Sequence, residues 1–352
     1  MGPAKRIAAG GAGPFPIGFC DGRPRLAAEP MRGRHFPLLS IPMLRQLLFC
    51  MAAGLGGAAG LGAQTVEVAG SDLLQVAVGE PLAKFAQKTG LDLKVDFTGT
   101  IPALAQLKAD KVLMAVIAAP VGQQPTGSDL VVLTYAYQVA YILVNTDNPV
   151  TEVDRDELIG VFGTTGADIN QWSQLGLAGE WSSRSVLAVA TSNDDGVVIE
   201  LFKHTILGGT PMKESVVSLK SGADLPKMIT DNPNIIAIGR YAPEQAKALY
   251  VAFERAAVSK LPGTTGTGAT PGVVTGGSKA SFAPTEDNVY NGDYPLRLPF
   301  YIVYKPANKE KVRQLLQVLF GDEFTAHLRE QHFMAVPDTV RKRTLLELDN
   351  AK

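Results

Sequence analysis

The segment TSNDDGVVIELF, residues 191–202, has the shape of an anion-binding turn, yet it carries two carboxylates. Unpaired amides at the start of a helix favour a bound anion. Asp194 and Asp195 would oppose one, by roughly 4 kcal/mol at 4 Å with an effective dielectric constant of 20. The turn therefore favours a neutral or cationic ligand, or no small ligand, unless an aspartate only caps the helix. Its candidate ligand-binding residues are Thr191, Ser192, Asn193, Asp194, Asp195 and Gly196.

Two other turns offer hydroxyl groups. AGSD, residues 69–72, and FTGT, residues 97–100, each follow a predicted strand. Serine, threonine and glycine also occur in turns that bind nothing, so each turn has a purely structural interpretation as well. The candidate ligand-binding residues in these turns are Ser71, Asp72, Thr98, Gly99 and Thr100.

Catalytic and metal motifs are absent from the sequence. HExxH, P-loop, GxSxG and GxGxxG patterns do not occur. His327 and His332 are five residues apart, which places them on different faces of a helix and argues against a zinc pair. Asp72 could join Asp194 and Asp195 around a hard cation such as Ca²⁺, as a minor alternative. We expect no enzyme activity, no cofactor and no metal site.

Composition excludes some partners. The chain has 352 residues, 46% of them hydrophobic, which is enough for two domains or one large two-lobed domain. Its formal net charge of −1 gives no indication of a nucleic-acid partner or of an anionic membrane partner.

The first 63 residues are interpreted separately. Residues 1–42 are predicted to be a non-structural extension, and residues 43–63 a signal peptide cleaved after Ala63. An uncleaved N-terminal anchor is the alternative, and translation could begin at Met31 or Met43. Both cysteines, Cys20 and Cys50, precede the cleavage point, so the exported chain would contain none.

From residue 65 onward, short apolar runs alternate with amphipathic segments, which predicts an α/β fold with parallel, helix-covered sheets. Two long apolar strands, near 137–145 and 298–304, are the candidates for crossovers between two lobes. A Gly/Thr-rich segment, 261–281, is predicted to be a mobile surface loop. The predicted domains are lobe 1, residues 65–138 plus 300–346, and lobe 2, residues 142–298.

Three segments carry a resemblance to a known family. They are VAGSDLLQVAVGEPLAKFAQKTG (68–90), ILVNTDNPVTEVDRDELIGVFGTTGADINQWSQLG (142–176) and PTEDNVYNGDYPLRLPFYIVYKP (284–306). In these segments the chain resembles the phosphate-type (PstS-like) periplasmic solute-binding proteins of ABC transporters. The resemblance implies a type II-like periplasmic binding protein fold: two α/β lobes, a two-strand hinge and a ligand in the cleft.

The ligand positions depart from the family. Where the family usually has an aspartate after the third strand, this chain has Ala118 or Ala119, and Thr191 stands at the position of the family's arginine. No basic residue lies between Arg184 and Lys203. A charge-assisted bond contributes about 1.5–3 kcal/mol, so its loss makes phosphate a doubtful ligand.

The resemblance implies a monomeric periplasmic receptor that binds a small solute and delivers it to an inner-membrane ABC permease. The alternative is a periplasmic interaction or adaptor protein that keeps the fold without transporting a solute. Neither involves nucleic acid.

Overall fold

The computed structural model describes residues 65–191, 196–254 and 279–349, and the statements below refer to these residues. All of them belong to one compact unit, Ala59–Lys352. The predicted extension, the predicted signal peptide and residues 261–278 of the predicted loop lie outside the described residues. The last three residues of that loop belong to a strand, Lys279–Phe282, instead. Within the described residues, no helix has the length and apolar character needed to cross a membrane.

The strands, in chain order, are β1 (Val66–Gly70), β2 (Leu93–Asp96), β3 (Met114–Ala118), β4 (Val131–Val139), β5 (Tyr141–Asn145), β6 (Glu152–Asp154), β7 (Leu187–Thr191), β8 (Val217–Leu219), β9 (Ile235–Gly239), β10 (Ala246–Ala248), β11 (Tyr250–Glu254), β12 (Lys279–Phe282), β13 (Arg297–Tyr304) and β14 (Met334–Ala335).

The α-helices are α1 (Glu80–Thr89), α2 (Thr100–Lys108), α3 (Arg155–Phe162), α4 (Gly196–Thr205), α5 (Leu225–Asp231), α6 (Glu286–Asn291), α7 (Lys309–Leu319), α8 (Asp322–Glu330) and α9 (Asp338–Asp349). Short 3₁₀ turns lie at Asp72–Leu74, Trp172–Leu175, Gly179–Trp181, Gly222–Asp224 and Pro306–Asn308, and a π-helical turn lies at Gln75–Gly79.

The strands form three sheets. The first has the order β14-β4-β13-β3-β1-β2, the second β10-β5-β9-β7-β8, and the third β12-β11-β6. In the first sheet, β1 pairs in parallel with β2 and β3, whereas β13 runs antiparallel to β3 and β4. In the second sheet, β7 pairs in parallel with β8 and β9, whereas β5 runs antiparallel to β9 and β10. The α/β class is therefore confirmed, but the sheets are mixed rather than mostly parallel, because the strands that carry the chain between the sheets run against their neighbours.

The first of the two long apolar segments, near 137–145, carries the chain from the first sheet to the second, whereas the second, 298–304, lies within β13 of the first sheet. β4 belongs to the first sheet and β5 to the second, with only Ala140 between them. The return passes through residues that precede β13, and the two passages touch. The Ala140 amide donates to the Leu296 carbonyl at 2.9 Å, and the Tyr294 hydroxyl donates to the Ala140 carbonyl at 2.7 Å.

Helix boundaries follow local chemistry. Pro81 lies in the first turn of α1, where its missing N–H costs nothing, and Gly90 ends the helix with a left-handed φ of 70°. At α3 a capping box is present: the Glu157 amide donates to Asp154 Oδ1 at 2.8 Å, and the Asp154 amide donates to Glu157 Oε2 at 2.7 Å.

The core consists of apolar side chains from both main sheets. β9 is buried along its whole length, as a strand with neighbours on both edges and helices nearby should be. Trp172 and Trp181 pack edge to face at 6.1 Å, and Phe162 and Phe202 do the same at 5.2 Å. These aromatic residues are core residues.

Candidate functional site

The first candidate turn follows β1. Ser71 is buried, and its amide donates to the Val116 carbonyl of β3 at 2.8 Å. Its hydroxyl lies 3.4 Å from Asp72 Oδ1, which is long for a hydrogen bond. Asp72 itself is exposed at the start of a 3₁₀ turn. The Ser71 amide is therefore committed to the sheet.

The second candidate turn, after β2, lies against the first. Gly99 has a φ of 142°, which strongly favours glycine, and its amide donates to the Gly70 carbonyl at 3.0 Å. The Thr100 hydroxyl donates to the Ala118 carbonyl and accepts from the Ala118 amide, both at 3.1 Å. Since a hydroxyl has one proton, Thr100 has none left for an oxyanion. Thr98 is exposed.

A phenylalanine ring packs between these turns. Phe97 is buried, and its ring atoms lie 2.5–2.7 Å from the position that a Cβ on Gly70 would occupy. The ring leaves no room for any larger residue at position 70 without rearrangement. Phe97 therefore restricts position 70 to glycine.

The third candidate segment is only partly described. Thr191 is buried at the end of β7, and Gly196 begins α4. Ser192, Asn193, Asp194 and Asp195 lie outside the described residues, so the predicted acidic lining and the alternative capping role stay predictions.

A small cavity of about 240 Å³ joins the first turn to α4. Leu73, Val76 and Ala77 line one side, and Val197 and Val198 of α4 line the other. The remaining lining residues are Gln138, Arg240, Gln331 and Phe333. The start of α4 and the turn after β1 therefore line the same cavity.

A larger cavity of about 800 Å³ lies beside it, and we call it the α4 cavity. Three parts of the chain form it: the segment after β3, the exposed side of α4 and the start of β13. Its lining residues are Pro120, Val121, Gln123, Gly196, Val197, Glu200, Leu201, His204, Thr205, Pro295, Arg297 and Leu298. Its volume falls in the range of about 300–1,000 Å³ that is typical of small-molecule sites.

Arg297 is the arginine of the α4 cavity. It is partly buried, and its Nη1 donates to the Val289 and Tyr290 carbonyls at the end of α6. Its guanidinium carbon lies 5.4 Å from the centre of the Tyr137 ring. Burial raises the pKa of Tyr137, and the nearby Arg297 charge offsets only part of that increase. None of the ion pairs found among the described residues includes Arg297.

Exposed apolar side chains lie at the end of the first sheet where its parallel strands have their carboxyl ends. Leu73 and Val76 follow β1, Ile101 follows β2 and Val121 follows β3. Ile101 is 82% exposed and Val121 60% exposed, which is unusual for such side chains. The carboxyl ends of these parallel strands thus present an apolar surface beside the candidate turns.

No cluster of three or more histidine, cysteine, aspartate or glutamate side chains in the described ranges could hold a metal ion. Asp72 lies in those ranges, but Asp194 and Asp195 do not. His327 lies in α8, whereas His332 follows it with a φ of 60° and stacks on Tyr241 at 3.9 Å.

The sequence reasoning missed the two arginines at the cavities. Arg240 directly follows the buried strand β9, and Arg297 begins β13. A signal existed for both, since the carboxyl end of a buried strand is a common place for a ligand contact and a charge in an apolar strand is costly without a role.

Comparison with known proteins identifies the family. A family model described as a PBP superfamily domain matches residues 57–323. No match was found among curated proteins.

Three solved structures are similar to the chain. A possible phosphate binding protein from Planctomyces limnophilus is 17% identical, with a TM-score of 0.57, covering 82% of this chain and 99% of that one. PstS from Borrelia burgdorferi is 13% identical, with a TM-score of 0.54 and coverage of 77% and 98%. An ABC-type phosphate transport receptor from Vibrio cholerae is 18% identical, with a TM-score of 0.49 and coverage of 76% and 99%. The first two show the fold and agree with the resemblance seen in the sequence. The chain belongs to the PBP superfamily and has the two-lobed α/β fold of the periplasmic binding proteins.

Proposed function

We propose that the protein is a solute receptor that binds a small ligand between its two lobes. The observation that carries the proposal is the α4 cavity, which has the volume of a small-molecule site and is lined by both lobes. Its walls come from the segment after β3 on one side and from α4 on the other. A ligand there would contact both lobes, and would therefore favour a closed arrangement over an open one.

The proposed setting is the periplasm, with export by the predicted signal peptide and delivery of the solute to an inner-membrane ABC permease. Family membership supports a binding role rather than catalysis. The boundaries predicted for the lobes, 65–138 plus 300–346 and 142–298, are part of this proposal. The division of β4 and β5 between the first and second sheets supports them.

Inorganic phosphate stays a poor candidate. In the sequence, Thr191 at the position of the family's arginine and the nearby Asp194 and Asp195 disfavour phosphate. The two aspartates lie outside the described residues, whereas Arg240 and Arg297 line the two cavities. In the two described turns, several donors that could hold an anion already have protein partners. The amides of Ser71 and Gly99 donate to backbone carbonyls, as does the Thr100 hydroxyl. A doubly charged ion that leaves water for a site with few donors loses more hydration free energy than one arginine restores.

A thermal-shift screen of the exported protein tests the receptor role. The solutes are phosphate, sulfate, Ca²⁺, neutral sugars and small organic acids. At a free concentration one hundred times its Kd, a ligand of the folded state adds about 2.7 kcal/mol. For a chain of this size that corresponds to a rise in Tm of roughly 5 °C. Absence of a shift with every solute would contradict the receptor role.

The exposed apolar edge favours the second candidate, an adaptor that binds another protein. Leu73, Val76, Ile101 and Val121 would then contact the partner. An adaptor gains no thermal stability from any solute, and its gene has no permease and ATPase neighbours. A receptor is expected to gain thermal stability from its solute, and its gene is expected to lie beside permease and ATPase genes.

A further inference from the structure

We propose that the α4 cavity binds an organic monocarboxylate with an apolar body, whose carboxylate pairs with Arg297. This inference rests on the proposed receptor function and names the class of solute. The apolar walls, the environment of Arg297 and the arrangement of the other charges at the cavity support it.

The walls of the cavity are mostly apolar. Val197 and Leu201 are four residues apart on α4 and so lie on one face of the helix. Across from them lie Pro120 and Val121, and Leu298 adds a third side. Such walls release water favourably only when an apolar surface covers them. They therefore favour a ligand whose body is aliphatic or aromatic.

Arg297 provides a binding site for one negative charge. Its guanidinium has five N–H groups, and the backbone acceptors it has found, the Val289 and Tyr290 carbonyls, are neutral and are both reached from Nη1. Those two bonds hold the side chain in place beside the Tyr137 ring. A fixed, partly buried guanidinium without a carboxylate partner in the described chain is suited to pair with a carboxylate of the ligand.

Among the described residues that line the cavity, the other charged groups are consistent with a single anionic head. Glu200 also lines the cavity, but its side chain is largely exposed and lies 2.8 Å from the Lys203 ammonium, which offsets its negative charge. His204 is also exposed. A cationic ligand would meet Arg297, and a multiply charged oxyanion would meet apolar walls that cannot solvate it. A monocarboxylate avoids both penalties.

The test is isothermal titration of the exported protein with four probes: 4-phenylbutyrate, its neutral amide 4-phenylbutanamide, butyrate and inorganic phosphate. The amide keeps the body and removes the charge, whereas butyrate keeps the charge and removes most of the body. We expect 4-phenylbutyrate to bind at least tenfold more tightly than each of the other three. Equal affinities for the acid and its amide would overturn the role of Arg297.

Variants separate the charge from the fold. Arg297→Gln should abolish the preference for the acid over the amide. Arg343→Gln is the matched control, because it removes the same charge from an exposed ion pair with Glu347. Because Arg297 also anchors α6, its substitution could disturb the fold, and a second variant is made at the exposed Val121. Val121→Asp should lower the affinity for 4-phenylbutyrate at least tenfold relative to Val121→Asn.

The outcomes distinguish this inference from the receptor function. If none of the organic probes binds while another solute raises Tm, the solute class is wrong and the receptor role stands. If phosphate binds most tightly, the inference is wrong in the same way. If no solute of any class raises Tm, the receptor function itself fails.

Discussion

Thr100 shows how a residue of the right type can be committed elsewhere. The sequence places a hydroxyl at the start of α2, where an anion would be held, and the structure has it bonded in both directions to Ala118. The hydroxyl joins the start of α2 to the end of β3. Its contribution should therefore appear in stability rather than in affinity.

Thr100→Val is expected to lower the free energy of unfolding by about 1–3 kcal/mol, because the Ala118 amide and carbonyl both lose their side-chain partner. Thr100→Ser keeps the hydroxyl and should cost much less. Urea unfolding measures the difference, and titration with a solute found in the thermal-shift screen measures binding. A loss of affinity with unchanged stability would show that Thr100 contacts the ligand after all.

Gly70 is explained by packing against Phe97. Gly70→Ala places a methyl group within 2.5–2.7 Å of three atoms of the Phe97 ring. Overpacking of this kind costs about 1–3 kcal/mol. We expect the double variant Gly70→Ala/Phe97→Leu to lose less stability than the sum of the two single variants, as measured by chemical unfolding. Simple additivity would show that the ring does not restrict position 70.

Residue types alone located the candidate turns but not the cavity. Ser71 and Thr100 were identifiable because they follow alternating strands, and they do lie together at one edge of the first sheet. Arg297 and Val121 were not identifiable as neighbours in the sequence. Their proximity depends on the pairing of β13 with β3, and residue spacing does not encode that pairing. The exposure of Ile101 is likewise invisible in a sequence, where an isoleucine in a helix indicates burial.

At the scale of elements, α3 depends on a capping box that a third residue extends. Lys279 of β12 lies 2.7 Å from Asp154 Oδ2, so the start of α3 is joined to a strand 125 residues away. Burial raises the pKa of Asp154, but Lys279 and the amides of Glu157 and Asp156 outweigh it, and the net pKa is below its ordinary value of 3.8. The charged form of Asp154 therefore stabilises the fold.

Asp154→Ala is expected to cost about 0.5–2 kcal/mol at neutral pH, the usual cost of losing such a cap. Asp156→Ala is the matched control, since Asp156 is exposed in the same first turn. Because the folded-state pKa of Asp154 is depressed, its contribution is complete above the unfolded pKa near 4 and declines as pH falls through the folded value. The stability gap between wild type and Asp154→Asn should thus be constant from pH 5 to 8 and shrink below pH 4. A gap that does not depend on pH would contradict this explanation.

The elements themselves were largely predictable, because capping, glycine stops and apolar runs are local. Both long apolar strands were evident in the sequence. The mixed pairing of the sheets was not, since strand direction follows from where a crossover enters. The predicted surface loop extends three residues too far, because Lys279–Phe282 pairs with β11. The composition of the segment does not indicate that contact.

At the scale of the whole molecule, one aromatic contact joins the two lobes beside the smaller cavity. Tyr241 follows β9 of the second sheet, and His332 precedes β14 of the first. Their rings stack at 3.9 Å with an interplanar angle of 9°. The neighbouring residues Arg240, Gln331 and Phe333 line the cavity. The stack therefore lies where closure of the lobes would form it and opening would break it.

Tyr241→Ala is expected to shift the molecule toward an open arrangement. An aromatic pair of this kind contributes about 0.5–1.5 kcal/mol beyond its buried area, so its loss should lower the closed-to-open ratio by roughly 2- to 12-fold. Small-angle scattering should then give a larger radius of gyration without ligand, and solute affinity should fall by a similar factor. Tyr250→Ala is the control, because Tyr250 is a half-exposed residue at the start of β11, and it should leave the radius of gyration and the affinity unchanged. Identical scattering and affinity in wild type and Tyr241→Ala would mean that closure does not depend on this contact.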